Sequence, residues 1–260
     1  MTAAVVRPID LDTLVLHSGG HNPPPDDSLG EACLLEVAAW MAGEPWTDSP
    51  QCVCPVLAAF GRRLNDVLPH DRRQELKRFL PAMLGTAGDG LMDVRRFMAA
   101  DWAVRTAAPL WLDAADQPAR AATLRALPAI VDWETLRSAR PVMRRMADEL
   151  WAVRRAKLAE LRAKAPVAVA AGVAAGVAVA AGAAVAAGAA DAAAVAVAAA
   201  AGAAVADAAG AAAGPTWTQV YDAAYAAAKA RIEERYAPVT AEVQTQAITL
   251  FGRMVRPEAA

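Results

Sequence analysis

The sequence favours an all-α protein: a multi-helix bundle with an extended N-terminal arm and an Ala/Gly/Val-rich helical hairpin. Three observations carry that expectation. Apolar residues recur at helical spacing, most clearly Met143, Met146, Leu150, Val153 and Leu161. Helix start and stop signals bracket several such segments. The 49 residues from Pro166 to Gly214 are almost wholly Ala, Gly and Val, and alanine is the best helix former.

Residues 1–27 read as the arm. One short strand fits between Val5 and Leu16, while HSGGHNPPPDD is loop chemistry, because three consecutive prolines favour polyproline II and forbid a helix. Ser28 and Glu31 match the S-x-x-E capping box, and Gly43 followed by Pro45 supplies a stop. The enclosed EACLLEVAAWMA is apolar on nearly every face, the pattern of a buried helix. A second helix is expected from Pro55, a third from Asp71 that Pro81 breaks or kinks, and a fourth from about Leu91. Shorter helices are expected over 118–127 and 132–139. Pro141 then opens a long amphipathic helix whose Arg144, Arg145, Arg154, Arg155 and Arg162 lie largely off the apolar stripe, as a solvated face would place them.

The Ala/Gly/Val segment over 166–214 is low in complexity. As one straight helix it would be roughly 74 Å long, against a radius of gyration near ~18 Å for a compact chain of this length. A hairpin turning near Gly188–Asp191 fits better, and the G-x-x-x-G spacing of Gly172 and Gly176 would let two backbones approach closely. A capped helix from Thr216 or Thr218 and another opened by Pro238 complete the chain. The expected organisation is an arm (1–27), an N-terminal helical domain (28–140) and a C-terminal helical domain (141–260) that includes the hairpin.

Charge is distributed unevenly along the 260 residues. Residues 1–60 carry one base, Arg7, and eight acids, whereas residues 61–165 carry twenty bases and thirteen acids, and the whole chain is at −2. Internal docking of an acidic first part on a basic middle explains both. The near-neutral total does not favour nucleic acid as the partner. The first twenty residues lack the basic and apolar regions of a secretory leader, and the three cysteines are an odd count, so a reduced cytoplasmic setting is the expectation. Heavy use of Ala, and of Arg over Lys, is the composition of a high-GC bacterial genome.

Candidate chemistry concentrates in residues 17–54. His17, His21, Cys33, Cys52 and Cys54 are there, and imidazole and thiolate are the donors zinc prefers. The C-x-C pair has no second C-x-x-C or H-x-x-x-H to support it, so packing of the cysteines is the stronger reading and no cofactor is required. Glu36 is the sharper oddity, a carboxylate in an otherwise apolar helix. It needs a proton or a donor, and a structural ion pair with an Arg of the middle region is the favoured reading over a catalytic role. The sequence has no phosphate-binding glycine loop, no dinucleotide fingerprint, no G-x-S-x-G and no H-E-x-x-H.

The stretch GEPWTDSPQCVCPVLAAFGRRLND, residues 43–66, resembles a recurring segment of uncharacterised Ala-rich proteins of actinobacteria and their phages. In them it follows a helix like CLLEVAAW, here residues 33–40, and an Ala-rich helical region comes later. The likeness covers roughly residues 15–115 and implies no particular activity. Ser49 stands where those relatives often have His, and Cys54 where they often have Ser. The first departure weakens any metal site that would use that His.

Together these features lead to a non-enzymatic helical protein that acts through itself or a protein partner by helix packing. Membrane insertion through 167–190 comes second: the stretch is 24 residues long without a charge, but it contains no Leu, Ile or Phe. A metal- or small-ligand-dependent enzyme built on 17–54 is the third reading.

Overall fold

The computed structural model describes residues 7–26, 28–164 and 217–257. The Ala/Gly/Val hairpin over 166–214 and the membrane reading of 167–190 lie outside the described residues. The chain is all-α. Helices run over Leu34–Met41 (α1), Pro55–Val67 (α2), His70–Arg73 (α3), Leu80–Met83 (α4), Met92–Trp102 (α5), Ala108–Ala114 (α6), Pro118–Arg125 (α7), Trp133–Lys164 (α8) and Trp217–Val255 (α9). Among the described residues the expected strand in the arm reduces to one isolated parallel bridge between Leu16 and Ala32.

That bridge also moves the first helix. Ala32 is extended, its carbonyl accepting the His17 N–H at 2.9 Å, so the chain cannot coil from Ser28. The Ser28 N–H is instead bonded to Asp26 Oδ1 at 3.2 Å. Helix α1 begins five residues later than the Ser28–Glu31 box suggests, with Cys33 at the N-cap and Glu36 closing the box at N3. Its end is as expected: Gly43 has φ +70°, and its N–H bonds to the Trp40 carbonyl.

Prolines act differently from the expectation at two places. Pro141 does not open a helix, since α8 starts at Trp133 and runs through it. The reason lies in its cap, where Asp132 Oδ1 accepts the Thr135 N–H at 2.8 Å and Thr135 Oγ1 accepts the Asp132 N–H at 3.1 Å. With the start so fixed, Pro141 costs the helix one hydrogen bond and does not end it. Pro238 likewise sits inside α9. Pro109, missing an N–H, follows a π-turn over Ala103–Ala107 that joins α5 to α6, and there the Ala108 N–H reaches back to the Ala103 carbonyl.

The chain divides into two units, Met1–Ala99 with Gln244–Ala260, and Ala100–Val243. The last turns of α9 pack with the first unit. Phe251 is fully buried there, stacked on Phe60 at 6.2 Å and edge-on to Phe79 at 5.4 Å. The contact is tight. A Cβ on Gly61 would stand 2.9 Å from the Phe251 ring, and one on Gly252 would stand 2.9 Å from Phe79. In the second unit, Met146 and Leu150 of α8 pack with Ala108, Leu112, Ala121 and Leu124. These two belong to the predicted apolar stripe, of which Met143 is half-buried and the side chains of Val153 and Leu161 lie outside the described residues; Arg144, Arg145 and Arg155 are exposed off it. Among the described residues no helix is long and apolar enough to cross a membrane.

Candidate functional site

The buried face of α2 recurs as Leu57, Ala58, Gly61, Leu64 and Asn65, a helical spacing that carries one polar side chain inward. Asn65 is fully buried. Its Oδ1 accepts the Leu34 N–H of α1 at 3.3 Å, and its Nδ2 donates to the His17 carbonyl at 2.8 Å. One side chain thus joins α2, the start of α1 and the arm. The arm is further held by Gln74, which bonds both the N–H and the carbonyl of Leu16 at 2.9 Å, and by Lys77 Nζ on the Leu14 carbonyl at 2.8 Å.

Glu36 stands at the centre of this region and is 2% exposed. Its carboxylate accepts two backbone N–H groups and lies against a ring nitrogen. Oε1 accepts the His21 backbone N–H at 2.6 Å. Oε2 accepts the Cys33 N–H at 2.7 Å and is 2.9 Å from His21 Nδ1. The expected partner, an Arg of the middle region, is not the one found. The reason is position: at N3 the carboxylate faces the free N–H groups of the helix start and the arm beside them. The basic residues of the middle do other work. Arg73 is buried and donates to the Asn65 and Leu68 carbonyls at the end of α2, and desolvation pulls its pKa down. Arg62 does meet the acidic part, pairing with Asp48 at 3.1 Å.

His21 is fixed at three points. Glu36 holds its N–H and its Nδ1, and Trp46 Nε1 donates to its carbonyl at 2.8 Å. An acceptor carboxylate at Nδ1 makes that nitrogen the proton-bearing one, so the neutral ring carries its lone pair on Nε2. The side chain is 16% exposed. The His17 ring lies edge-on to it with centroids 5.9 Å apart. Among the described residues no group bonds to His21 Nε2 or to the His17 ring nitrogens.

Of the predicted site residues, the structure brings His17, His21, Cys33 and Glu36 into one neighbourhood. Cys52 and Cys54 have other partners. Cys54 is the N-cap of α2, its N–H bonded to Thr86 Oγ1 at 2.9 Å. The Cys52 thiol is pushed up to about 12, by burial and then by the Glu44 carboxylate. Burial, with Glu36 adding, pushes Cys33 up to about 12 as well. Both thiols are therefore protonated at neutral pH and are poor nucleophiles as they stand. Among the described residues no three His, Cys, Asp or Glu side chains gather closely enough to hold a metal ion. Asn65, Trp46 and Gln74 were not foreseen as parts of this region. Asn65 had a readable signal in its place on the apolar face of α2, while Trp46 and Gln74 act through backbone groups distant in sequence.

Compared with known proteins, the chain matches no family model, no curated protein and no solved structure.

Proposed function

We propose that the chain is a non-enzymatic helical protein that acts by assembling with itself or with a protein partner in the cytoplasm. The observation that carries this reading is the pair of long helices flanking the Ala/Gly/Val segment. Helix α8 has 32 residues and α9 has 39. At 1.5 Å per residue they are roughly 48 and 58 Å long. Their described outward residues include Arg144, Arg145, Glu149, Arg155, Glu234 and Arg235, all exposed. Helices of this length offer more surface than a small core can cover, and the glycine spacing between them suits close helix packing. Sedimentation of the full chain over a wide concentration range tests it: reversible association is expected, and Gly172→Leu with Gly176→Leu should weaken it. A chain that stays monomeric and retains no protein partner in a pull-down would contradict the proposal.

A second reading, ligand-dependent chemistry in 17–54 with zinc as the class of cofactor, is favoured by one observation. His21 is anchored by a buried carboxylate at Nδ1 while, among the described residues, no group bonds to its Nε2. Carboxylate-held imidazoles of this kind are suited to metal binding or proton transfer. Nitrogen-detected NMR of the His21 ring tests it: a proton on Nδ1 supports the reading, and a proton on Nε2 contradicts it.

A further inference from the structure

We infer that His17 and His21 form a two-imidazole site for a divalent transition metal ion of the zinc class, with Glu36 as its positioning residue. The inference rests on the second reading above and assigns its ligand.

Both residues are held at the backbone before any ion arrives. His17 is fixed through its N–H to Ala32 at 2.9 Å and through its carbonyl to Asn65 at 2.8 Å. His21 is fixed through its N–H to Glu36 and its carbonyl to Trp46. The segment between them, Ser18 to Gly20, is exposed, and Gly19 has φ +84°. Gly19 is itself held, its N–H donating to Asp66 Oδ1 at 2.9 Å, so the backbone that carries both rings is fixed and the His17 ring adjusts only about its own side-chain bonds.

Distance and chemistry agree. Zinc–imidazole bonds of about 2.0–2.1 Å put two centroids on one tetrahedral ion roughly 5 Å apart. The observed 5.9 Å lies within an ångström of that. Glu36 Oε2 at His21 Nδ1 is the outer carboxylate that fixes a ligating histidine in orientation and tautomer, directing Nε2 at the ion. Glu36 is itself fixed by two backbone N–H groups, so the orientation is rigid. Two protein donors leave the other positions of the ion to water or to a donor brought by a ligand or partner. Imidazole suits zinc, copper and nickel, and the order of affinity should follow Co²⁺ < Ni²⁺ < Cu²⁺ > Zn²⁺.

The test is calorimetric titration of the full, metal-free chain with zinc chloride alone. One ion per chain is expected, with binding that weakens as pH falls because protons compete for the ring nitrogens. His17→Ala and His21→Ala should each abolish it. His17→Ala is the cleaner variant, since among the described residues the His17 ring packs edge-on to the His21 ring and takes no part in the Glu36 bonds, and its circular dichroism should be unchanged. Glu36→Gln should weaken binding by roughly 10–100-fold. Nitrogen-detected NMR adds a readout that a merely structural Glu36 would not move, with the Nε2 signal of His21 shifting on zinc addition while Nδ1 keeps its proton. No zinc binding, or binding that survives His17→Ala, overturns the inference. An Nδ1-protonated His21 without zinc binding overturns the metal assignment alone, whereas an Nε2-protonated ring overturns both it and the reading on which it rests.

Discussion

The two units bury polar groups in different ways. In the first, Glu36, Asn65, Arg73 and Arg95 are buried, and each is bonded to groups on other segments. Arg95 is the fullest case: it is inaccessible, pairs with Asp89 at 2.5 Å and donates to the Met254 carbonyl at 2.7 Å. In the second unit the described core around Leu112, Met146 and Leu150 is apolar. Its buried Trp111 Nε1 has no hydrogen-bond partner among the described residues. A core latched by directional bonds admits one arrangement, whereas a core packed by shape alone tolerates repacking. The first unit is therefore the one whose geometry is specified closely enough to hold a site.

Shape-conserving substitutions can break or sharpen this contrast. The largest loss is expected for Asp89→Asn, which strips the countercharge from a buried guanidinium and should cost about 3 kcal/mol in chemical denaturation. The same pair gives the first unit an acid limit. The Arg95 hydrogen bonds hold the Asp89 carboxyl below the usual carboxylate range. A lowered carboxyl stabilises the fold above its unfolded-state pKa of about 3.9. That contribution is lost as pH falls through the folded value, so wild type and Asp89→Asn should converge in acid. Asn65→Leu comes next: it takes their partner from the Leu34 N–H and the His17 carbonyl, at about 1 kcal/mol each. Gly61→Ala should cost about 1–3 kcal/mol because Phe251 must shift, read as a lowered Tm. Leu150→Met, in the second unit, should cost under about 1.5 kcal/mol. If Leu150→Met proved as damaging as Asn65→Leu, the contrast would fail. The smallest effect is chemical: Cys52, raised to about 12 by burial and Glu44, should alkylate slowly at neutral pH and speed up only on unfolding or in strong base.

The all-α class, the start of α2 at Pro55, the Gly43 stop and the Met146–Leu150 stripe were legible because each depends on local spacing. The start of α1 was not. Two boxes of the same spacing compete, Ser28–Glu31 and Cys33–Glu36, and local propensity favours serine over cysteine as the cap. The Leu16–Ala32 bridge decides the other way, and nothing local announces it. Pro141 and Pro238 misled for a related reason, since a proline within a helix costs one bond that flanking packing can offset. In the candidate site, His17, His21, Cys33 and Glu36 were recognisable by residue type, and three of Glu36's bonds were not, because they come from His21 and from the backbone of a relocated N-cap.

Glu36 as the latch between the arm and α1 is the central claim, and amide hydrogen exchange tests it most directly. In Glu36→Gln, the amides of His21 and Cys33 should lose protection selectively while Leu150 in the second unit keeps its own. Unchanged protection at His21 and Cys33, or an equal loss at all three, would contradict it.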